Sequence, residues 1–369
     1  MEGGVDDFFY LCWSYMKRLK IIVAPDSYKE CLSAMEVSAA MAEGVLLKYP
    51  EASVIQLPLA DGGEGTLEIL SSAMGATIRR AMVSGPLGRA VDADFGVVGS
   101  TGIVEVARAC GLPLLSKDER NPMTALSTGV GELVLSAEKA GCRHLIVGLG
   151  GSATCDGGVG MLSVPGVKDA LGRMDVELLC DVGNPFIGQN GAARVFAPQK
   201  GASAEDVELL EQRMEKVAKQ ILAETGVDVS GIPGAGAAGG LGGAFIAYAG
   251  AKIVPGVEKV MSLVGFDDAL NGADLVITGE GKSDLQTLEG KVPFGVLRHS
   301  AGCRVALVSG AVEHGAIACL EKAGFCGIRQ ATPLEMALDE ALEPDRARAN
   351  ITNAVRGVLD CIESGRGVM

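Results

Sequence analysis

Histidine, aromatic residues and closely spaced cysteines are scarce in this chain of 369 residues. It has three histidines, aromatic residues make up 4% of it, and none of its ten cysteines forms a Cys-x-x-Cys pair. Few residues are therefore available to form a zinc site or a histidine-based catalytic triad. Unpaired thiols are typical of a reducing compartment, so we expect a cytoplasmic protein.

An excess of positive charge is also missing, since the formal net charge is −14. No basic surface is then available to displace counterions from a nucleic acid, and anionic membranes are disfavoured for the same reason. The most membrane-like stretch, 231–251, has no charged residue but is rich in Gly and Ala. It predicts a glycine-rich loop followed by a buried helix. The composition leaves homo-oligomerisation open.

The N-terminal residues 1–18 carry Glu2, Asp6 and Asp7 where a signal peptide needs positive charge. We interpret this stretch as an appendage to the fold. Met16 stands just before the first apolar run, so either Met1 or Met16 could serve as the start.

Glycine loops that follow short apolar runs are what the sequence has in abundance. The stretch 148–160, GLGGSATCDGGVG, follows the strand-like run His144–Val147 and supplies hydroxyls and a carboxylate. Glycine at a strand-to-helix turn lets a ligand approach the backbone, although such a turn can also need glycine for its geometry alone. Similar loops occur at 61–66, 233–243 and 279–284, which indicates that the glycine loops contribute to one ligand-binding function.

Alternation of apolar runs, glycine turns and helical periodicity predicts parallel strands with helical crossovers. The two ends of the chain share this pattern of strand, glycine turn and helix, whereas the middle of the chain has a different pattern. We therefore predict two α/β domains: a Rossmann-like or flavodoxin-like parallel-sheet domain from 19–75 and 266–369, and an inserted α/β domain from 76–265.

Familiar nucleotide motifs are not satisfied. Residues 234–239 match the dinucleotide fingerprint in letters, but no strand precedes them. Residues 281–283 resemble the end of a P-loop whose first glycine is missing. Carboxylates and cations in the glycine turns still suit phosphoryl transfer, because carboxylates hold Mg²⁺ and cations stabilise the transferring group.

The motifs taken together resemble the bacterial glycerate kinase family of type I, the glycerate 2-kinases. The stretches that carry the resemblance are APDSYKE (24–30), LADGGEGT (59–66), RNP (120–122), STGVGEL (127–133), GGSATCDGG (150–158), CDVGNPF (180–186), APQKGA (197–202), PGAGAAGGLG (233–242) and ITGEGKSDLQTLEGKVP (277–293). The resemblance implies two α/β domains and transfer of the ATP γ-phosphoryl group to the 2-hydroxyl of D-glycerate, giving 2-phosphoglycerate and ADP.

We assign roles within these stretches. Asp181 is the first choice for the general base and Asp156 the second, with Lys29 as a catalytic cation. Lys29 and Arg120 would bind the glycerate carboxylate or steady the transferring phosphoryl group. The remaining expected ligands of glycerate are Asp26, Ser27, Ser152, Thr154, Asn184 and Lys200. Expected nucleotide contacts are Gly62, Gly63, Gly236, Gly239, Gly279, Lys282 and Lys291. Expected Mg²⁺ ligands are Asp61, Glu280 and Asp284.

The sequence departs from the family pattern at four places. Cys155 stands where Asn is usual, Leu285 stands where Ser is usual, and the N-terminal appendage has no counterpart. The segment between Met161 and Cys180 is shorter than in relatives, which predicts weakened catalysis. Two alternatives to the 2-kinase remain: a glycerate 3-kinase, and a catalytically impaired homologue that binds glycerate or nucleotide.

Overall fold

The structure is a computed structural model that describes residues 18–364. Residues 1–17, with the predicted appendage and both candidate start residues, lie outside the described part. The strands are β1 (Lys20–Val23), β2 (Ser53–Gln56), β3 (Thr77–Ser84), β4 (Ala90–Val98), β5 (Thr101–Glu105), β6 (His144–Gly148), β7 (Asp175–Leu179), β8 (Lys252–Val254), β9 (Leu275–Thr278), β10 (Lys282–Ser283), β11 (Arg304–Ser309), β12 (Ala311–Val312) and β13 (Gly327–Gln330). The α-helices are α1 (Ala34–Lys48), α2 (Thr66–Met74), α3 (Ala107–Cys110), α4 (Thr128–Lys139), α5 (Val159–Leu162), α6 (Val167–Leu171), α7 (Ala192–Phe196), α8 (Ala204–Thr225), α9 (Leu241–Ala249), α10 (Gly256–Leu263), α11 (Phe266–Leu270), α12 (Val292–His299), α13 (Ile317–Ala323), α14 (Leu338–Ala341) and α15 (Pro344–Ser364).

The chain divides into two compact units. The first comprises the residues up to Ala60 and those from Val264 onward, and the second is Asp61–Leu263. The sequence had assigned 61–75 to the first domain. The structure assigns it to the second unit because α2 packs on β4, β5 and α10.

The first unit is built on a five-stranded sheet with the order β13-β11-β9-β1-β2, and every pairing in it is parallel. Counted along this unit alone, the order is the flavodoxin-like 2-1-3-4-5. Helix α1 begins after Ser33, which forms a capping box with Glu36. The prediction of a flavodoxin-like parallel sheet from both chain ends is confirmed.

The second unit has a six-stranded mixed sheet with the order β3-β4-β5-β6-β7-β8. Strands β3, β4 and β5 pair antiparallel, whereas β5 to β8 run parallel. The glycine-rich stretch leads into α9, whose first five residues are buried. Among residues 18–364, no helix has the length and apolar character needed to cross a bilayer.

The short connection between β6 and β7 is part of the core of the second unit. It forms α5 and α6, and the side chains of Met161, Val167, Ala170 and Leu171 are fully buried in the main apolar cluster. Strand β7 is paired with β6 on one side and β8 on the other. The shortened segment therefore leaves no gap in the sheet.

Candidate active site

The first unit has a topological switch point between β1 and β9. From β1 the chain moves to β2 on one side, whereas the later strand β9 joins β1 on the other side. Ligands of such sheets bind beyond the carboxyl ends of the strands at this point. There the N–H of Asp26 donates to the carbonyl of Gly279 at 2.8 Å, so the two predicted loops lie side by side.

The loop after β1 carries three predicted site residues. The Ser27 N–H donates to Oδ1 of Asp26 at 2.7 Å, while the buried Ser27 hydroxyl has no hydrogen-bond partner in the described chain. Lys29 is exposed at the tip of the turn closed by Tyr28 and Leu32. The next residue, Glu30, has a φ of 61°, a conformation that side chains rarely adopt and that is common at functional loops.

The loop after β9 carries the other predicted residues of this unit. Glu280 is 6% exposed, and its Oε2 lies 3.3 Å from Nζ of Lys291. Asp284 lies 3.8 Å from both Lys282 and Lys291. A Cβ at Gly279 would lie 1.6 Å from the carbonyl oxygen of Val308. Packing against that strand accounts for this glycine, so its expected nucleotide contact has no support in the geometry.

In the second unit, the loop 61–65 lies across the carboxyl ends of the parallel strands. The carbonyl of Gly62 accepts a hydrogen bond from Gly150 at 3.0 Å, and Gly62 itself packs on the backbone of Leu179. The N–H of Gly63 donates to Oδ1 of Asp61 at 3.0 Å. Both predicted glycines thus hold the loop that presents Asp61.

Asp181 follows β7 at the same edge of the sheet. Its Oδ1 accepts from the N–H of Gly256 at 2.9 Å and its Oδ2 from Val257 at 3.3 Å, which caps the start of α10. The residue remains exposed at the surface. Partial burial of the carboxylate and the charge of neighbouring Asp61 nevertheless raise the pKa of Asp181 to about 7. Such a pKa suits a general base that works near neutral pH.

Asp156, the second candidate for the base, is fully engaged in local structure. Its Oδ2 accepts from the N–H of Ser127 at 2.9 Å and from the hydroxyl of the same residue at 2.8 Å. The N–H groups of Gly158 and Gly160 donate to the carboxylate at 3.0 Å each. Four donors leave this carboxylate little capacity to accept a substrate proton, which favours a structural role.

Three of the predicted glycerate ligands meet inside the protein. Nζ of Lys200 donates to Oγ of Ser152 at 2.9 Å and to the carbonyl of Thr154 at 2.7 Å. All three residues are at most 5% exposed. Burial lowers the pKa of Lys200. The structure brings these residues together, but they brace the loop after β6 and do not face solvent.

Arg120 and Asn184 differ in whether a side-chain donor has an acceptor within the protein. The Nε of Arg120 is buried and has no acceptor among the described residues, whereas Nδ2 of Asn184 donates to the carbonyl of Asn190 at 2.8 Å.

Two predicted nucleotide-binding glycines are packed against backbone. A Cβ at Gly236 would lie 2.2 Å from the carbonyl oxygen of Pro185, and one at Gly239 would lie 2.0 Å from the carbonyl oxygen of Thr154. Close backbone packing therefore explains Gly236 and Gly239, and the expectation that they contact nucleotide has no support here.

The three predicted Mg²⁺ ligands fall in different units: Asp61 in the second, Glu280 and Asp284 in the first. No group of three or more His, Cys, Asp or Glu side chains within 18–364 could hold a metal ion. Mg²⁺ usually keeps several waters and binds through one or two carboxylates together with substrate phosphates. The carboxylate of Asp61, which accepts a hydrogen bond from the N–H of Gly63, fits that pattern.

Some residues that shape this region were missed from the sequence. Gly256 and Ser127 supply the donors for Asp181 and Asp156. Glu105 at the end of β5 is a buried carboxylate, 2% exposed. Its carboxylate accepts from the N–H of Leu67 at 2.7 Å and from Arg108 at 3.0 Å, and burial raises its pKa. It thus fixes the start of α2 behind the loop of Asp61.

Comparison with known proteins identifies relatives of the chain. The model of the glycerate kinase family matches residues 21–171 and 162–363, two pieces that meet inside the short β6–β7 connection. The glycerate 2-kinase of Escherichia coli (strain K12) is 41% identical over 308 residues, which are 75% of this chain and 81% of the relative. The glycerate kinase of Bacillus subtilis (strain 168) is 38% identical, over 88% of this chain and 94% of the relative.

A solved structure agrees with these sequence matches. The crystal structure of "putative glycerate kinase 2" from Salmonella typhimurium LT2 superposes with a TM-score of 0.76 at 36% identity. The superposition covers 95% of this chain and 100% of the Salmonella typhimurium chain. The chain belongs to the glycerate kinase family.

Proposed function

We propose that the chain is an ATP- and Mg²⁺-dependent glycerate 2-kinase, which transfers the γ-phosphoryl group of ATP to the 2-hydroxyl of D-glycerate. The observation that carries this proposal is the carboxylate of Asp181, which two backbone N–H donors hold beside Asp61 at the carboxyl edge of the sheet. The name of the Escherichia coli relative supports transfer to the 2-position.

Asp181 acts as the general base. Its carboxylate accepts the proton of the glycerate 2-hydroxyl while the hydroxyl oxygen attacks the γ-phosphorus, and the bond from phosphorus to the β,γ-bridging oxygen breaks to release ADP. A group with a pKa close to the working pH is well matched to such a proton transfer. The two N–H donors from the start of α10 hold this carboxylate in place.

Arg120 binds the carboxylate of glycerate. Its buried Nε has no acceptor among the described residues, and a buried donor left without a partner is costly. A planar carboxylate is a suitable acceptor for a guanidinium. Asp156 and Lys200 support the neighbouring loop, because the carboxylate of Asp156 accepts from Ser127 and the buried ammonium of Lys200 donates to Ser152 and Thr154.

The switch point of the first unit binds the phosphates of ATP. Lys29, Lys282 and Lys291 lie in the loops that follow β1 and β9, and all three are at least a third exposed. Ammonium groups can then neutralise the phosphates and the charge that develops during transfer. The unpartnered hydroxyl of Ser27 adds a hydrogen-bonding group to the same edge.

Asp61 in the second unit and Asp284 in the first are each, within its own unit, a candidate Mg²⁺ ligand, because protein donors do not use up the capacity of either carboxylate. When bound, Mg²⁺ neutralises phosphate charge and helps to align the reacting groups. A metal beside Asp61 would also offset the repulsion that Asp61 exerts on Asp181.

The test is a coupled assay with D-glycerate, ATP and Mg²⁺, followed by ³¹P NMR of the product. We expect 2-phosphoglycerate, loss of activity with EDTA, and recovery with Mg²⁺ or Mn²⁺. Formation of 3-phosphoglycerate would identify a 3-kinase instead. Calorimetric binding of glycerate or ATP without turnover would identify an impaired homologue, and full activity after metal stripping would exclude the metal requirement.

A further inference from the structure

We infer that Glu280 is a positioning residue that orients the ammonium of Lys291 toward the nucleotide phosphates, and that it does not bind metal. This inference rests on the proposed kinase function, and it revises the expectation that Glu280 is a Mg²⁺ ligand. Glu280 follows β9 at the switch point of the first unit, where its side chain is almost fully enclosed.

Both carboxylate oxygens of Glu280 already have protein partners. Oε1 accepts hydrogen bonds from the hydroxyls of Ser283 at 3.0 Å and Thr287 at 2.6 Å. Oε2 lies 3.3 Å from Nζ of Lys291. A metal ion would have to displace these donors. Ser283 and Thr287 are fully buried. Removing the acceptor would leave buried hydroxyls without partners, which is costly.

The hydroxyls that hold Glu280 are themselves fixed. Oγ of Ser283 lies 2.8 Å from Oγ of Ser309 at the end of β11, and Oγ1 of Thr287 accepts from the N–H of Asp284 at 3.0 Å. The carboxylate is therefore anchored to two strands and to the turn that follows β9. A buried and fully hydrogen-bonded network of this kind defines one orientation of the group at its centre.

Lys291 is the member of the network that reaches solvent. Its side chain is 34% exposed, and it stands immediately before α12, after Gly290 with a φ of 110°. A lysine side chain is a flexible four-carbon stem, so a fixed carboxylate beside the ammonium reduces the number of conformations it samples. Preorganisation of this kind improves binding of a phosphate without a direct contact from Glu280.

Asp284 differs from Glu280 in the way that matters for a metal. Its Oδ1 accepts one hydrogen bond, from the N–H of Gln286 at 2.9 Å, while the ammonium groups of Lys282 and Lys291 remain 3.8 Å away. Its side chain is also more exposed, at 19% against 8% for Glu280. Of the two acidic residues in this loop, Asp284 is the more accessible to Mg²⁺.

The experiment is a double-mutant cycle with Glu280→Gln and Lys291→Met, measured by steady-state kinetics and by calorimetric ATP binding. Gln keeps the size of Glu and can still accept from the hydroxyls, but it loses the charge that orients Lys291. We expect each single variant to weaken ATP binding about tenfold, with the KM for glycerate unchanged. In the Lys291→Met background, Glu280→Gln should add less than about a twofold further loss, because coupled residues are non-additive.

Thr287→Val provides a second variant if Glu280→Gln fails to fold, and it should weaken ATP binding in the same direction by removing one anchor of Oε1. Asp284→Asn serves as the positive control for a metal ligand and should raise the Mg²⁺ concentration needed for half-maximal activity. Melting temperatures verify that each variant is folded.

Additive effects on ATP binding in the cycle would overturn the inference. So would a raised Mg²⁺ requirement in Glu280→Gln that persists in the Lys291→Met background, because that is the behaviour of a metal ligand. If Lys291→Met leaves ATP binding intact, the assignment of the phosphate cation itself is wrong. ATP binding is measured without turnover. The double-mutant cycle therefore gives its answer whether or not the proposed 2-kinase reaction takes place.

Discussion

The carboxylate of Asp181 accepts a hydrogen bond from the backbone N–H of Gly256, with an Oδ1–N distance of 2.9 Å. A Cβ at Gly256 would lie 2.2 Å from the carbonyl oxygen of Asp61 and 2.9 Å from Oδ2 of Asp181. This glycine therefore lies against both acidic residues. The proposed base is fixed by backbone donors from a helix whose start is free of side-chain bulk.

We predict that Asp181→Asn lowers kcat by about 10²–10⁴-fold, the usual contribution of a positioned general base, with little change in either KM. Asn has the same shape and retains an acceptor for Gly256, so the loss reports on proton transfer. Steady-state kinetics with both substrates measures it. A variant that keeps a tenth or more of the wild-type kcat would exclude Asp181 as the base.

The pH dependence of stability gives a second test of Asp181. Its pKa rises from 3.8 to about 7 on folding, so between these values the folded state binds more protons than the unfolded state. The free energy of unfolding therefore falls as pH rises through this window. Relative to the wild type, metal-free Asp181→Asn should gain thermal stability at pH 8 but not at pH 4, by a small amount because the residue is exposed. An equal difference in Tm at both pH values would contradict the raised pKa.

Lys200 and Arg120 should respond differently to substitution. Lys200→Met leaves the buried hydroxyl of Ser152 and carbonyl of Thr154 without their donor, a loss of about 1–3 kcal/mol each. At roughly 2–4 °C per kcal/mol, Tm should fall measurably, and kcat should fall with little change in the KM for glycerate. Arg120→Ala should instead raise the KM for glycerate about tenfold or more.

Differential scanning fluorimetry and steady-state kinetics on the two variants compare these effects directly. A Lys200→Met protein with the wild-type Tm and a raised KM for glycerate would show that Lys200 binds substrate after all. An unchanged KM in Arg120→Ala would remove Arg120 from the carboxylate site.

The short connection between β6 and β7 can be tested by grafting the longer segment of a relative between Met161 and Cys180. The sequence predicted weakened catalysis here, but the structure shows α5 and α6 packed into the core. We therefore expect the graft to lower Tm and to leave kcat unchanged or lower, because inserted chain would displace buried side chains. A graft that raises both kcat and Tm would show that the short connection is a defect.

Local patterns in the sequence were sufficient for the parts of the fold that depend on neighbouring residues. The capping box of Ser33 and Glu36, and the glycine loop that leads into α9, follow from short-range hydrogen bonding and hydrophobicity. The flavodoxin-like sheet followed from the alternation of strands and helices at both chain ends.

Contacts between distant residues could not be predicted in the same way. Gly256 is 75 positions from Asp181, and the Pro-Gly dipeptide at the start of α10 does not indicate which residue its N–H will contact. The burial of Glu105 could not be predicted because a single strand does not reveal which side chains the start of a distant helix, here α2, will cover. The contact of Lys200 with Ser152 and Thr154 and its burial likewise depend on packing between segments that are distant in the sequence.

The pairing of β1 with β9 has a consequence for the order of folding. Lys20 and Asp274 are hydrogen-bonded across 254 positions, whereas the strands of the second unit are all drawn from one uninterrupted stretch. Closing such a long loop is slow compared with forming local contacts. During synthesis, β1 and β2 must wait as an incomplete sheet until β9 has left the ribosome, and the stretch 61–263 can become compact first. Pulse proteolysis of stalled nascent chains should then show protection of 61–263 before that of residues 18–60, and chaperones would be needed mainly for the exposed N-terminal strands.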